Sequence, residues 1–263
     1  MNLSKSNILV TGAAGTGVGF GVCQALEEAG ATIIINDLKK EKVEKAVTQF
    51  KNAIGIKADL TNVEEVEAMF EKIRTESGVI HGLVNNAGVG LTKAVHEITE
   101  EEYDNLYDVN MKAVWRVTKY FTKQLLDNET AGNIVNVSSV HAFASQPNYS
   151  TYASSKNAIE GFTRAIAYEL GQYNIRCNAI APGYVHAEQN LDLISQWSDD
   201  PKQWVEDFIN KQQVLHRSIE PIDCGRTVAF LLSESSRSIT GQTIYVDAGK
   251  TIMLFNKDYI TKE

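Results

Sequence analysis

The chain has 263 residues, 43% hydrophobic and 22% charged, which excludes a disordered tail or a fibre and leaves one large domain or two small ones. Lys and Arg number 25 against 33 Asp and Glu, and the resulting net charge of -8 repels nucleic-acid backbones and acidic membrane surfaces over most of the molecule. No apolar run approaches the ~18 residues that cross a bilayer, and residues 1–6 carry no long apolar stretch, so a cytoplasmic protein with no membrane and no nucleic-acid partner is expected.

Taken in chain order, residues 7–11 form the first expected strand, residues 19–29 a helix, and residues 32–35 a second strand. Short runs rich in β-branched residues then recur at 53–57, 82–85, 133–137, 176–180 and 243–246, separated by segments long enough for crossover helices. Seven strands alternating with helices imply an α/β fold, a doubly wound parallel sheet with helices on both faces. Thr61-Asn-Val-Glu64 and Thr99-Glu-Glu-Glu102 read as capping boxes, and Pro221 suits the first turn of a late helix. Four prolines and no linker, repeat or low-complexity segment make residues 1–263 a single domain. Residues 184–217 break the pattern: no strand is expected there, and charged, amide and aromatic residues mix, including Trp197 and Trp204. Such an excursion at the carboxyl end of a strand suits a helical lid over a ligand crevice; the alternative is a helical surface insertion with packed tryptophans. Cys23, Cys177 and Cys224 lie far apart without a Cys-x-x-Cys pair, so they read as buried thiols, and the five histidines show no metal-ligand spacing.

The chemistry-bearing residues begin after the first strand, where Gly12, Gly15, Gly17 and Gly19 lead into a helix. Glycines let the backbone approach a pyrophosphate, and the helix N-terminus then faces the negative charge. Asp37, at the end of the second strand, can accept hydrogen bonds from an adenosine ribose and repels a 2′-phosphate. No basic residue lies in the glycine loop, so NAD is favoured over NADP, with Lys39 and Lys40 the features that speak for NADP. Tyr152 and Lys156 share one face of an expected helix, where an ammonium beside a phenol stabilises the tyrosinate and lets it exchange protons near neutrality. By itself such a pair is also an ordinary surface contact. Ser138 and Ser139 follow the strand over 133–137, where a hydroxyl can bind a reacting oxygen or simply cap a turn.

These residues resemble, in order, the short-chain dehydrogenase/reductase family: Thr11-Gly12 with Gly17 and Gly19, Asp59-Leu60, Asn85-Asn-Ala-Gly88, Asn110, Ser139, Tyr152-Ala-Ser-Ser-Lys156, Pro182-Gly183 and the stretch 241–249. The resemblance spans nearly the whole chain and implies one Rossmann-type domain, a nicotinamide cofactor and a catalytic set of Asn110, Ser139, Tyr152 and Lys156. It further implies that Lys156 also holds the nicotinamide ribose and that Asn110 helps keep a water in a proton relay. Asp59 and Leu60 would lie at the adenine, Asn86 and Gly88 at the adenosine ribose side, and Pro182, Gly183 and Val185 at the nicotinamide. Relatives are mostly tetramers, and the apolar tail of Ile252, Met253, Leu254 and Phe255 suits a homotetramer. Two departures stand out: four residues separate Gly12 from Gly17, one more than usual, and Ala187 replaces a threonine that commonly reaches the cofactor.

For the substrate, Ser139, His141, Gln146, Tyr149 and Trp197 are the candidates. Ser-Ser-Val-His resembles members acting on sugars and small hydroxy acids; His141 either hydrogen-bonds a substrate hydroxyl or carboxylate or is simply packed. Amides near Tyr152 suit a small polar alcohol or ketone, and tryptophans offer a flat surface to a sugar ring. The expected activity is therefore NAD-dependent oxidation of a secondary alcohol of a sugar, sugar acid or polyol. The alternative is reduction of 3-oxoacyl groups on an acyl carrier protein, although residues 126–132 and 169–174, which correspond to docking helices in such reductases, contain no Lys or Arg. A catalytically silent NAD-sensing protein is a third class, set back by the complete Asn, Ser, Tyr and Lys set.

Overall fold

Strands buried on both faces are continuous apolar runs, and these runs form the sheet here. The computed structural model describes residues 1–256, so residues 257–263 of the expected domain lie outside the described residues. The strands are β1 (Asn7–Val10), β2 (Thr32–Asp37), β3 (Ala53–Lys57), β4 (Gly82–Asn85), β5 (Gly132–Val137), β6 (Ile175–Pro182) and β7 (Thr243–Val246). All neighbours pair in parallel in the order β3-β2-β1-β4-β5-β6-β7. Because β1 leads outward to β2 and β3 while β4 starts the other half, the order reverses between β1 and β4. Their carboxyl ends frame the crevice in which doubly wound sheets bind ligands.

Side-chain alternation along each strand explains why helices cover both faces. Ile8, Val10, Ile33, Ile35, Val84 and Val135 join one core cluster with helices α1 (Val18–Glu28) and α9 (Pro221–Leu232). Their neighbours Leu9, Ile34, Leu83 and Ile134 join a second cluster with α3 (Val63–Glu76), α5 (Ala113–Asp127) and α6 (Ser150–Leu170). The other described α-helices are α2 (Lys40–Val47), α4 (Glu100–Tyr107), α7 (Glu188–Ile194) and α8 (Pro201–Gln212). Helices α1 and α9 approach so closely that a Cβ on Gly21 would meet the Pro221 backbone, and one on Gly225 the Gly21 carbonyl. The three cysteines are free and buried, as expected, and burial pushes each thiol up.

The capping box expected at Thr61-Asn-Val-Glu64 is a correction. Asn62, not Thr61, caps α3 by accepting from Glu65 N at 3.0 Å. Thr61 is occupied elsewhere, its hydroxyl donating to Asp59 Oδ1 at 2.7 Å. The box at Thr99 and Glu102 forms on α4, and Pro221 opens α9. Residues 184–217 hold α7 and α8, with an aromatic cluster in which Trp204 stacks on Phe208 (5.3 Å) and both touch Tyr184. The segment is moored at both ends. Val185 bridges Ile219, and Val214 and Leu215 donate to Ala248 O at 3.0 and 2.9 Å.

Candidate active site

The glycine loop joins β1 to α1 across the switch point. Gly12 has φ +60°, where side chains are strained, and a Cβ there would lie 2.7 Å from Ala87 Cα; Gly12 therefore lets the loop lie against the exit of β4. Asn86 fastens the same contact, its Nδ2 donating to Thr11 O and Gly12 O at 2.9 Å each, and a Cβ on Gly19 would lie 2.5 Å from that nitrogen. Thr11 Oγ1 accepts from Asn86 N and Ala87 N at 3.0 and 3.1 Å, a role that the sequence alone did not assign. Asn86, which the resemblance puts at the adenosine ribose side, thus also holds the glycine loop.

The amides of Ala13 and Ala14 are spent on β2, donating to Asn36 O and Asp37 Oδ2 at 3.1 Å each. Further on, Gly17 caps α1 without a side-chain bond, and the first turn holds no acidic residue. The open amides are therefore those that follow, around Gly15, Gly17, Val18 and Gly19, where the first-turn N–H groups of a helix have no internal acceptor. Asp37 keeps further acceptor capacity beside the loop, and Asp59 Oδ1 takes Thr61 N and Oγ1 at 2.8 and 2.7 Å while Leu60 O accepts from the buried Arg116 at 2.6 Å. An uncapped, acid-free helix N-terminus with a carboxylate at the end of the next strand fits a nicotinamide dinucleotide. Gly183 completes this rim: a Cβ there would lie 3.0 Å from Asp247 Cα, so the turn after Pro182 packs on the loop after β7.

Helix α6 carries Tyr152 and Lys156, the pair expected to exchange protons. Lys156 is buried, and its Nζ donates to Val137 O at 3.1 Å and lies 5.7 Å from the Tyr152 ring centroid. Burial pulls its pKa down to about 8. Burial pushes the Tyr152 phenol up, and a hydrogen bond with Ser139 opposes that. Removal from water opposes the charged phenol, and Ser139 is the group that lowers it. Asn110 sits in the π-turn Asp108–Lys112 between α4 and α5, a distortion common at functional sites. Its Oδ1 accepts from Val89 N at 2.8 Å, and its Nδ2 donates to Val89 O at 2.9 Å and Ser155 Oγ at 3.1 Å. Both amide hydrogens are committed to this clamp. Gly88 lies beneath it, since a Cβ there would be 3.2 Å from Asn110 Oδ1 and 3.3 Å from Lys156 Nζ. Ser155, which donates to Tyr152 O at 2.7 Å, was not anticipated from sequence, although it lies inside the Tyr152 to Lys156 turn.

Of the substrate candidates, His141 stacks flat on Tyr149 at 4.5 Å and meets Tyr152 edge-on at 5.8 Å. Burial lowers the His141 pKa, which favours the neutral ring, and Nδ1 lies 3.3 Å from Ser145 Oγ. Gln146 instead lines a neighbouring cavity of about 450 Å³ with Val95, His96 and Asn148. Trp197 is 50% exposed on the segment with α7 and α8, edge-on to Trp204 at 6.4 Å. Among the described residues no candidate metal-holding cluster occurs and no helix is long and apolar enough to cross a membrane.

A parallel sheet reversing at a glycine loop, with a half-buried Tyr152 and a buried Lys156 at its carboxyl edge, defines a dinucleotide-binding oxidoreductase. The family model described as enoyl-(acyl carrier protein) reductase matches residues 12–251. A 3-oxoacyl-[acyl-carrier-protein] reductase FabG of Staphylococcus aureus is 34% identical over 254 residues, covering 95% of this chain and 99% of that protein. Among solved structures, a candidate gluconate dehydrogenase from Agrobacterium tumefaciens superposes with a TM-score of 0.89 at 28% identity, covering 96% of this chain and 98% of that one. A variant of the actinorhodin polyketide ketoreductase with NADPH gives 0.87 at 25%, covering 94% and 98%. The chain belongs to the short-chain dehydrogenase/reductase family and is an oxidoreductase that uses a nicotinamide cofactor.

Proposed function

We propose that the protein interconverts a secondary alcohol and its ketone on a sugar, sugar acid or polyol, with NAD as cofactor and Tyr152 as general acid/base. The observation that carries this reading is the His141–Tyr149 stack set edge-on against Tyr152, next to Ser139. A neutral imidazole can both donate to and accept from hydroxyls, which suits a polyhydroxylated substrate better than an acyl chain. In oxidation, Tyr152 takes the hydroxyl proton as phenolate, Ser139 Oγ hydrogen-bonds the reacting oxygen, and Lys156 supplies positive charge and a ribose contact. The dinucleotide would be held by the amides around Gly15 to Gly19 at its pyrophosphate, by Asp37 and Asp59 at its adenosine end and by Gly183 and Val185 at its nicotinamide, which would supply the hydride acceptor. The segment with α7 and α8 serves as the lid, with Trp197 and Gln146 as outer contacts. Likeness to a candidate gluconate dehydrogenase supports the sugar-acid class.

The likeness to FabG favours a second reading, reduction of 3-oxoacyl groups on a carrier protein. Acidic carriers need basic docking, yet the α5 end carries Asp127 and Glu129, and Lys123 is paired with Asp127 at 2.8 Å. Likewise, NADPH in the ketoreductase keeps NADP in view, while Asp37 and the absence of a basic residue from the glycine loop support NAD. Exposed Ile252 and Leu254, at 80% and 85%, support a homotetramer, and composition supports the cytoplasm.

The test is a panel of sugars, polyols, sugar acids and hydroxy acids with NAD or NADP, and of 3-oxoacyl thioesters with NADH or NADPH, read by the gain or loss of the reduced cofactor's absorbance. Turnover of a polyhydroxylated substrate with NAD is expected. Turnover confined to 3-oxoacyl thioesters transfers the assignment to the second reading. Tyr152→Phe should lose ~10²- to 10⁴-fold in kcat with cofactor binding intact; a loss below about tenfold refutes the role of Tyr152.

A further inference from the structure

Residues four apart share a helix face. On α6, Tyr152, Lys156 and Glu160 form one such row, and this row faces the exit of β5. Three successive residues of that exit meet the three side chains. Val137 O accepts from Lys156 Nζ at 3.1 Å, Ser138 Oγ donates to Glu160 Oε1 at 3.0 Å, and Ser139, next along the strand exit, is the side chain that holds the Tyr152 phenol down. Ser138 Oγ also reaches Lys156 O at 3.2 Å, so this hydroxyl spans from the Lys156 turn to the next. On its other side Ser138 N donates to Ile180 O at 2.8 Å, which ties the same residue to β6.

Two of these attachments belong to groups that must move protons or hold ligands, so they are remade during a catalytic cycle. The middle one has no such duty. Glu160 is nevertheless buried, a placement that costs free energy for a carboxyl group unless its partners return it. Burial pushes its pKa up, while Ser138, Arg164 and Thr243 oppose the rise; Tyr245 on β7 also faces it. Its Oε1 accepts from Ser138 whether or not the carboxyl carries a proton on the other oxygen.

Resting on the reading that Tyr152 and Ser139 perform the proton transfer, we infer that Glu160 is a positioning residue: through Ser138 it fixes the distance between Ser139 and Tyr152. The attachment joins β5 to α6 at one residue's remove from the reacting pair, so its loss lets the strand exit drift relative to the helix. A misplacement of about 1 Å in such a pair costs on the order of 10²-fold in rate.

The experiment measures kcat, cofactor Kd by fluorescence quenching and thermal unfolding for Glu160→Met, Glu160→Gln, Ser138→Ala, Ser139→Ala, the double variant Ser139→Ala/Glu160→Met, and Tyr152→Phe as a control. Glu160→Met and Ser138→Ala should each lower kcat about tenfold or more with cofactor Kd within about twofold of the parent. Glu160→Gln retains the acceptor and should recover most of the lost kcat. Because Glu160 acts through Ser139, adding Glu160→Met to Ser139→Ala should cost little more than Ser139→Ala alone, the non-additivity expected of coupled groups. Full kcat in Glu160→Met, no rescue by Gln, or additive losses in the double variant overturns the inference while leaving Tyr152 in place. If Glu160→Met does not fold, Ser138→Ala with parental kcat overturns it equally. A Tyr152→Phe control that stays active removes the underlying reading, and the inference with it.

Discussion

Lys156→Met is predicted to change the pH dependence of stability in a defined direction. The ammonium is buried, and its pKa falls from 10.5 to about 8. At 1.36 kcal/mol per pKa unit, holding the protonated side chain in the folded state costs about 3 kcal/mol. The folded value is depressed, so the unfolded chain binds the extra proton between pH 8 and 10.5, and stability attributable to this group rises with pH through that window. Below pH 8 the penalty is present in full. Methionine keeps an unbranched stem of similar length and has no charge to titrate. It also forfeits the bond from Nζ to Val137 O, worth about 1 kcal/mol. Near pH 7 the variant should therefore be as stable as the parent or more so, by up to about 2 kcal/mol, and that advantage should vanish by pH 10. Urea unfolding of both proteins at pH 7, 8, 9 and 10 measures it, since groups common to both proteins largely cancel in the difference. A stability difference that stays flat across this range refutes the argument that Lys156 is held as a desolvated cation.

Gly21→Ala should destabilise by about 2 kcal/mol or more, because the new methyl runs into the Pro221 backbone and α1 and α9 cannot keep their separation; an unchanged melting temperature would show that the contact yields cheaply. Asp37→Ala should lower kcat/KM with NAD at least about tenfold while raising the relative use of NADP, since it removes both a ribose acceptor and the repulsion of a 2′-phosphate. Steady-state kinetics with both cofactors check this, and a parent protein that already prefers NADP sinks it.

Much of the fold is legible because buried parallel strands leave a strong mark. Ile33, Ile34 and Ile35 can only be a strand covered on both sides, and the structure places alternate members in opposite cores. Boundaries are weaker where adjacent residues compete for the same job: Thr61 and Asn62 can both cap, and only the position of Asp59 decides between them. Tyr152 and Lys156 are legible because they share one helix. Ser138 and Glu160 are not, because their meeting depends on how a crossover helix settles against a strand exit 22 residues earlier. The surroundings of Gln146 and Trp197 are not legible for a related reason, since composition says what a loop contains but not which way it turns.

The directions of the two shifts bear on how the site performs acid-base work. Burial pulls the Lys156 pKa down to about 8 and pushes Tyr152 above its ordinary value. In both groups removal from water opposes the charged form, so a partner that favours tyrosinate directly matters beside the lysine. The group that lowers Tyr152 directly is Ser139, through a hydrogen bond that strengthens as the phenol acquires charge. In the proposed mechanism Ser139 acts on the tyrosine as well as on the substrate oxygen, and its distance from Tyr152 matters twice. Among the described residues, Ser138 and Glu160 join the strand next to Ser139 to the helix that carries Tyr152 without taking part in the proton transfer. A family site with a fixed catalytic set can thus depend on a buried carboxyl group that never meets the substrate.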